Sequence, residues 1–205
     1  SGNQHQAPAL DEAFENGDGE SRPFVRVGAR AELVEKHQGI RAGGVPGLAQ
    51  TQQPAAESRA GGEEILVLDG EFADEHGSYP AGTYIRNPIG TSHRPRVGPD
   101  GATIFVKLHQ FDPGDAEQKV IHTRSGDWQP GLVDGLTVLP LHEFASPRGA
   151  EHVALVRWAP DTQFSEHGHF GGEEIFVLEG TFEDEDGIYP QGTWLRNPSW
   201  SRHAP

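Results

Sequence analysis

The sequence contains no cysteine, which excludes disulfides, zinc–thiolate clusters and thiol redox chemistry together. It contains no methionine either, and it opens on Ser-Gly, which reads as a processed or tagged start. No apolar run approaches the length of a membrane span, and the first residues lack the basic, apolar and small-residue succession of a secretory signal. A cytoplasmic protein without membrane contact is therefore expected. Basic residues are scarce: 16 Lys and Arg face 31 Asp and Glu, for a formal net charge of -15 and a pI near 5.0. Such a chain, with no Lys/Arg stripe, repels phosphate backbones, which argues against nucleic acid as a partner and makes any protein partner a basic one. Long segments of 3.6-residue apolar period are missing as well, and only residues 31–37 read as a brief helix.

What remains is a turn-rich globular chain of 205 residues, 34% hydrophobic, with 27 Gly and 16 Pro. Residues 1–20 are polar and acidic and read as a flexible arm. Short apolar runs at 24–27, 102–108, 120–121, 136–141 and 152–158 are separated by Gly, Pro, Asn and Asp turns. That pattern predicts an all-β chain of small antiparallel barrels or jelly rolls.

Residues 167–203, HGHFGGEEIFVLEGTFEDEDGIYPQGTWLRNPSWSRH, hold the densest chemistry. In a strand, alternate side chains share a face, so His167 and His169 point the same way and Glu173 keeps their parity, while Glu174 falls on the other face. The apolar run 175–178 leads to a turn at Gly180, and a second turn at Pro190–Gly192 returns the chain so that His203 arrives from a neighbouring strand. Three imidazoles and one carboxylate suit one divalent metal such as Zn, Fe, Mn, Ni or Co. The competing reading is that these are ordinary surface His in a polar loop, which is how His37, His76, His109, His122, His142 and His152 are read, as surface or core-edge residues.

The same wording occurs earlier. GGEEILVLDGEFADEHGSYPAGTYIRNPIGTSH at 61–93 aligns with 171–203 without a gap, at a constant offset of 110 residues, which means duplication of a whole structural unit. Glu63 and His93 stand opposite Glu173 and His203, but Glu57 stands opposite His167 and Arg59 opposite His169. The first copy is therefore expected to hold no metal. An Arg59–Glu63 ion pair in place of the ion and a solvent-facing Arg59 are both open for it. After His93 the first copy runs on through 102–108. The second stops at Pro205, which leaves that edge either to lost sequence or to another covering strand.

HxHxxxE followed by Gly180, then PxG and a later His, resembles the two signature motifs of the cupin superfamily. GGEEIFVLEG, YPxGTWLRNP and SRH resemble more narrowly the cupin domain of ChrR-type anti-sigma factors and their stand-alone relatives. Carried over residue by residue, the resemblance implies metal ligands at His167, His169, Glu173 and His203 and a double cupin fold. It divides the chain into the arm 1–20, an N-terminal cupin at 21–115 with a degenerate site, and a C-terminal cupin at 116–205 with the metal, joined near 112–118.

Two functions follow from the resemblance. A ChrR-like cupin implies a module that senses or binds a small molecule or an oxidant and signals to a protein partner or a second copy. Full anti-sigma factors of that type also carry a zinc domain with Cys ligands. Inhibition by that route is not expected of a Cys-free chain. The alternative is a metal-dependent enzyme, since some stand-alone relatives resemble diketone-cleaving dioxygenases and a metal with open positions polarises a carbonyl or binds dioxygen.

Overall fold

The computed structural model describes residues 57–58, 61–147 and 149–205. The arm 1–20, the strand at 24–27, the helix at 31–37 and the placement of Arg59 lie outside the described residues. The described residues fall into two compact units that divide between Gly126 and Asp127. Among these residues both are all-β apart from one 3-10 turn, Thr123–Ser125, in the first. Among the described residues no helix is long and apolar enough to cross a membrane.

The first unit contains β1 (Glu57–Ser58), β2 (Glu63–Ala73), β3 (Ser78–Pro80), β4 (Thr83–Asn87), β5 (Ser92–His93), β6 (Arg96–Leu108) and β7 (Lys119–His122). β2 is its spine, flanked antiparallel by β4 on one edge and β6 on the other, with β3 at its far end. Its sequence EEILVLDGEFA carries Ile65, Val67 and Phe72 inward, and these pack with Tyr79, Ile85 and Val106 into the core. Each such fully buried side chain contributes roughly 1.5–3 kcal/mol of transfer free energy. The apolar pair Val120–Ile121 reads in sequence as the restart of the second half, but β7 hydrogen-bonds to β4 in the first unit, Ile121 opposite Tyr84. A strand edge pairs with whatever apolar run reaches it, and that partner is invisible to local pattern.

The second unit contains β8 (Gln129–Pro130), β9 (Leu136–Ser146), β10 (Gly149–Trp158), β11 (His167–His169), β12 (Glu173–Phe176), β13 (Thr181–Asp184), β14 (Gly187–Pro190), β15 (Trp194–Asn197) and β16 (Ser201–His203). β9 pairs with both β8 and β10, and β11–β16, β12–β15 and β13–β14 form three further antiparallel pairs. The register repeats the first unit at the offset of 110. Glu173 faces Asn197 as Glu63 faces Asn87, and Phe182 faces Tyr189 as Phe72 faces Tyr79.

The copies differ at both edges. Among the described residues β12 and β15 pair only with each other, whereas β2 also has β6 and β4 also has β7. Tyr84 is accordingly 3% exposed and its counterpart Trp194 40%. Gly70 and Gly180 occupy the same left-handed position, with φ of 71° and 72°. A Cβ on Gly70 would sit 2.2 Å from the Gly101 carbonyl oxygen on β6, while one on Gly180 would meet nothing within 4 Å. Gly180→Ala is expected to cost only the left-handed penalty of roughly 1–2 kcal/mol, and Gly70→Ala distinctly more. Urea denaturation of the two variants measures the difference.

Candidate metal centre

The second unit brings all four sequence-predicted donors together. β11 and β16 pair with His167 opposite His203 and His169 opposite Ser201. The ligand atoms of His167, His169 and His203 all lie within 4.8 Å of one another. His169 Nε2 stands 2.9 Å from His203 Nε2, and Glu173 Oε2 is 3.3 Å from the first and 3.4 Å from the second. His169, Glu173 and His203 are buried, while His167 is half-buried.

The route to this geometry departs from single-strand parity. The chain breaks between His169 and Glu173: Gly172 turns left-handed at φ 83°, and the His169 carbonyl accepts hydrogen bonds from the Gly172 and Trp200 amides. Glu173 therefore reaches the His cluster from β12, a different strand pair. Glu174 is buried too, at 3% exposure, beside Arg196 Nε at 3.7 Å.

The hydrogen bonds around the cluster prepare these rings for a cation. His167 Nδ1 lies 3.0 Å from the Ser165 carbonyl oxygen. That oxygen only accepts, so the proton sits on Nδ1 and Nε2 keeps its lone pair. His203 Nδ1 lies 3.3 Å from Asp184 Oδ2, with the same consequence for its Nε2. Burial pushes His169 down to about 4, helped by the neighbouring His167 and His203, and burial also lowers His167. Burial raises the Glu173 carboxyl above its usual range. Two imidazoles lowered by burial, a third held at its Nδ1 by Asp184 and a desolvated carboxylate, all converging on one point, are a donor set that a divalent first-row ion satisfies.

The first unit keeps the scaffold and changes the donors. Glu57 on β1 pairs with His93 on β5 as His167 pairs with His203, so the offset of 110 holds back to residue 57. His93 Nε2 lies 3.0 Å from Glu63 Oε2 and its Nδ1 3.3 Å from Asp74 Oδ2. The hydrogen bond to Glu63 leads the effects that hold His93 above its ordinary value. The first copy thus holds its His93 up, while the second lowers His167 and His169, which have no His counterpart in the first.

Three supporting residues escaped the sequence reading. Asp184 faces His203, Tyr189 Oη donates to Asp184 Oδ1 at 3.1 Å, and Asn197 Nδ2 donates to Glu173 Oε2 at 3.0 Å. Each is identical in the first copy, as Asp74, Tyr79 and Asn87, and that identity was the available signal. Of the remaining His, His142 is fully buried on β9 rather than at the surface or a core edge, at the point where the β9–β10 register shifts.

The sequence profile of the ChrR cupin-like domain matches residues 48–112 and again 116–205. The chain belongs to the ChrR cupin-like family. Among curated proteins none matches it by sequence. Among solved structures, this cupin is similar to a provisionally named dioxygenase from Nostoc punctiforme, at 19% identity and TM-score 0.57, over 70% of this chain and 57% of that one. It is also similar to a provisionally named glyoxylate-induced protein from Pseudomonas aeruginosa, at 16% identity and TM-score 0.50, over 72% of this chain and 62% of that one. The cupin chain thus spans about three fifths of the length of either structure. At these identities the likeness establishes the cupin fold.

Proposed function

We propose that this ChrR-like cupin is a metal-dependent module that binds a small molecule or senses an oxidant, with one divalent ion held by His167, His169, Glu173 and His203. The observation that carries the reading is the contrast between copies. The same scaffold is built twice, and the His pair that completes a nitrogen-rich donor set occurs once. The ion would supply a Lewis-acidic centre with positions left for an exogenous ligand. His169, Glu173 and His203 are buried, and half-buried His167 is the donor that solvent reaches most readily. A change there reaches β16 directly through the His167–His203 pairing. The chain's formal charge of -15 suits a basic protein partner for the readout.

The second reading, a dioxygenase, draws on the name carried by the Nostoc structure. Dioxygen consumption by the metal-loaded chain separates the two when it is followed with a panel of small diketones and keto acids, alongside hydrogen exchange at β11 and β16 before and after peroxide. The sensing module is expected to change its exchange pattern without turnover. Sustained, substrate-dependent consumption of dioxygen would replace it with the enzyme.

A further inference from the structure

Asp184 sits at the tip of the β13–β14 hairpin with its two carboxylate oxygens doing different things. Oδ1 accepts three hydrogen bonds, from the Asp186 amide at 2.9 Å, the Gly187 amide at 3.1 Å and Tyr189 Oη at 3.1 Å. Oδ2 faces His203 Nδ1 at 3.3 Å, and the Asp184 side chain is 3% exposed. Phe182, with its ring stacked on Tyr189 at 6.1 Å and tilted 6.2 Å from His203, packs against both partners. One oxygen is fixed by the turn, so the other has one available direction.

We propose that Asp184, anchored by Tyr189, is the positioning residue for His203: by accepting the Nδ1 proton it fixes the ring tautomer in which Nε2 offers its lone pair to the metal. The proposal rests on the metal-holding reading of the His cluster. An imidazole that carries its proton on Nε2 cannot ligate through that atom, and of the two neutral tautomers a carboxylate on Nδ1 favours the one that leaves Nε2 free. The first copy repeats the device in detail. Asp74 Oδ1 accepts from the His76 and Gly77 amides and from Tyr79, and Asp74 Oδ2 faces His93 Nδ1 at 3.3 Å. There the oriented ring meets Glu63. The second copy puts the same orientation beside two further imidazoles.

Asp184→Asn is the discriminating substitution. The three donors around Oδ1 require the amide oxygen at that place, so the turn is retained and the amide NH2 is turned towards His203. An NH2 donates, which forces the Nδ1 lone pair and moves the ring proton to Nε2. Asp74→Asn makes the same change in the copy without the His pair and serves as the structural control. In the full chain, chelator-competed Zn2+ titration is expected to show affinity about 10- to 100-fold weaker for Asp184→Asn and unchanged for Asp74→Asn. In metal-free protein, nitrogen-15 spectra of the His rings are expected to show the proton of His203 on Nδ1 in the wild type and on Nε2 in Asp184→Asn. Equal Zn2+ affinity for the two variants would overturn the proposal and leave the metal site standing. A wild-type chain that binds no Zn2+ would overturn the metal reading, and the tautomer of His203 would still decide whether Asp184 sets it: an Nε2 proton in the wild type sinks the proposal.

Discussion

His169→Ala is expected to abolish stoichiometric metal binding while both units stay folded. His169 is 1% exposed at the centre of the cluster, with its Nε2 facing those of His203 and, through Glu173, the carboxylate side of the site. Removing it takes away a donor that no other described residue replaces. The fold is expected to survive the loss, because β11 and β16 stay joined through their backbone pairing. Titration with Zn2+ or Fe2+ followed by elemental analysis reads the loss, and circular dichroism checks that the fold survives. Retained binding at wild-type affinity would place the ion elsewhere.

Arg86→Ala carries the largest expected effect on stability. Arg86 is fully buried on β4, with its guanidinium bridging Glu64 on β2 and Asp115 after β6 and lying 3.7 Å over the Phe111 ring. Tyr84 Oη donates to the same Glu64 at 2.5 Å, and Lys107 stands opposite Glu64 in register. Removing the cation leaves two carboxylates buried without their central partner, a change that costs about 3–5 kcal/mol in comparable buried pairs. The second copy supplies the control. Arg196 occupies the same position but its side chain is 58% exposed and lies 3.7 Å from a single carboxylate, that of Glu174, so Arg196→Ala is expected to cost distinctly less than Arg86→Ala. Guanidinium unfolding of the two variants compares them directly, and equal losses would mean that the network around Arg86 does not lock the first unit.

The amount of this that sequence made legible depended on how local the cause was. Turn residues and short apolar runs carried the all-β fold, because the left-handed positions at Gly62, Gly70, Gly82 and their counterparts Gly172, Gly180 and Gly192 are local requirements. The gapless repeat carried the duplication, and the copied register at Glu57–His93 extends it to the edge of the described residues. His167, His169, Glu173 and His203 could be picked out as one group because such a spacing is rare in other contexts, and the structure brings their side chains together. The reason for their convergence was not: parity put Glu173 on one strand with His167 and His169, whereas the structure brings it in across a left-handed turn at Gly172 and from a new strand pair. Asp184 and Tyr189 were hidden because an Asp in an acidic Asp-Glu-Asp-Gly turn and a Tyr in a strand both have ordinary local explanations. Their partnership exists only once β13, β14 and β16 are brought together. The pairing of β7 with β4 was hidden for the same reason, since Val120–Ile121 has no local mark of the strand it will join.

The central claim is that one copy of a duplicated scaffold holds one ion. Elemental analysis of the full chain, purified without chelators after growth in metal-replete medium, tests it most directly. The account predicts one equivalent of a divalent first-row metal per chain. Two equivalents would mean that the Glu63–His93 copy is also a metal site, and none would mean that the His167, His169 and His203 cluster is not one; either result contradicts it.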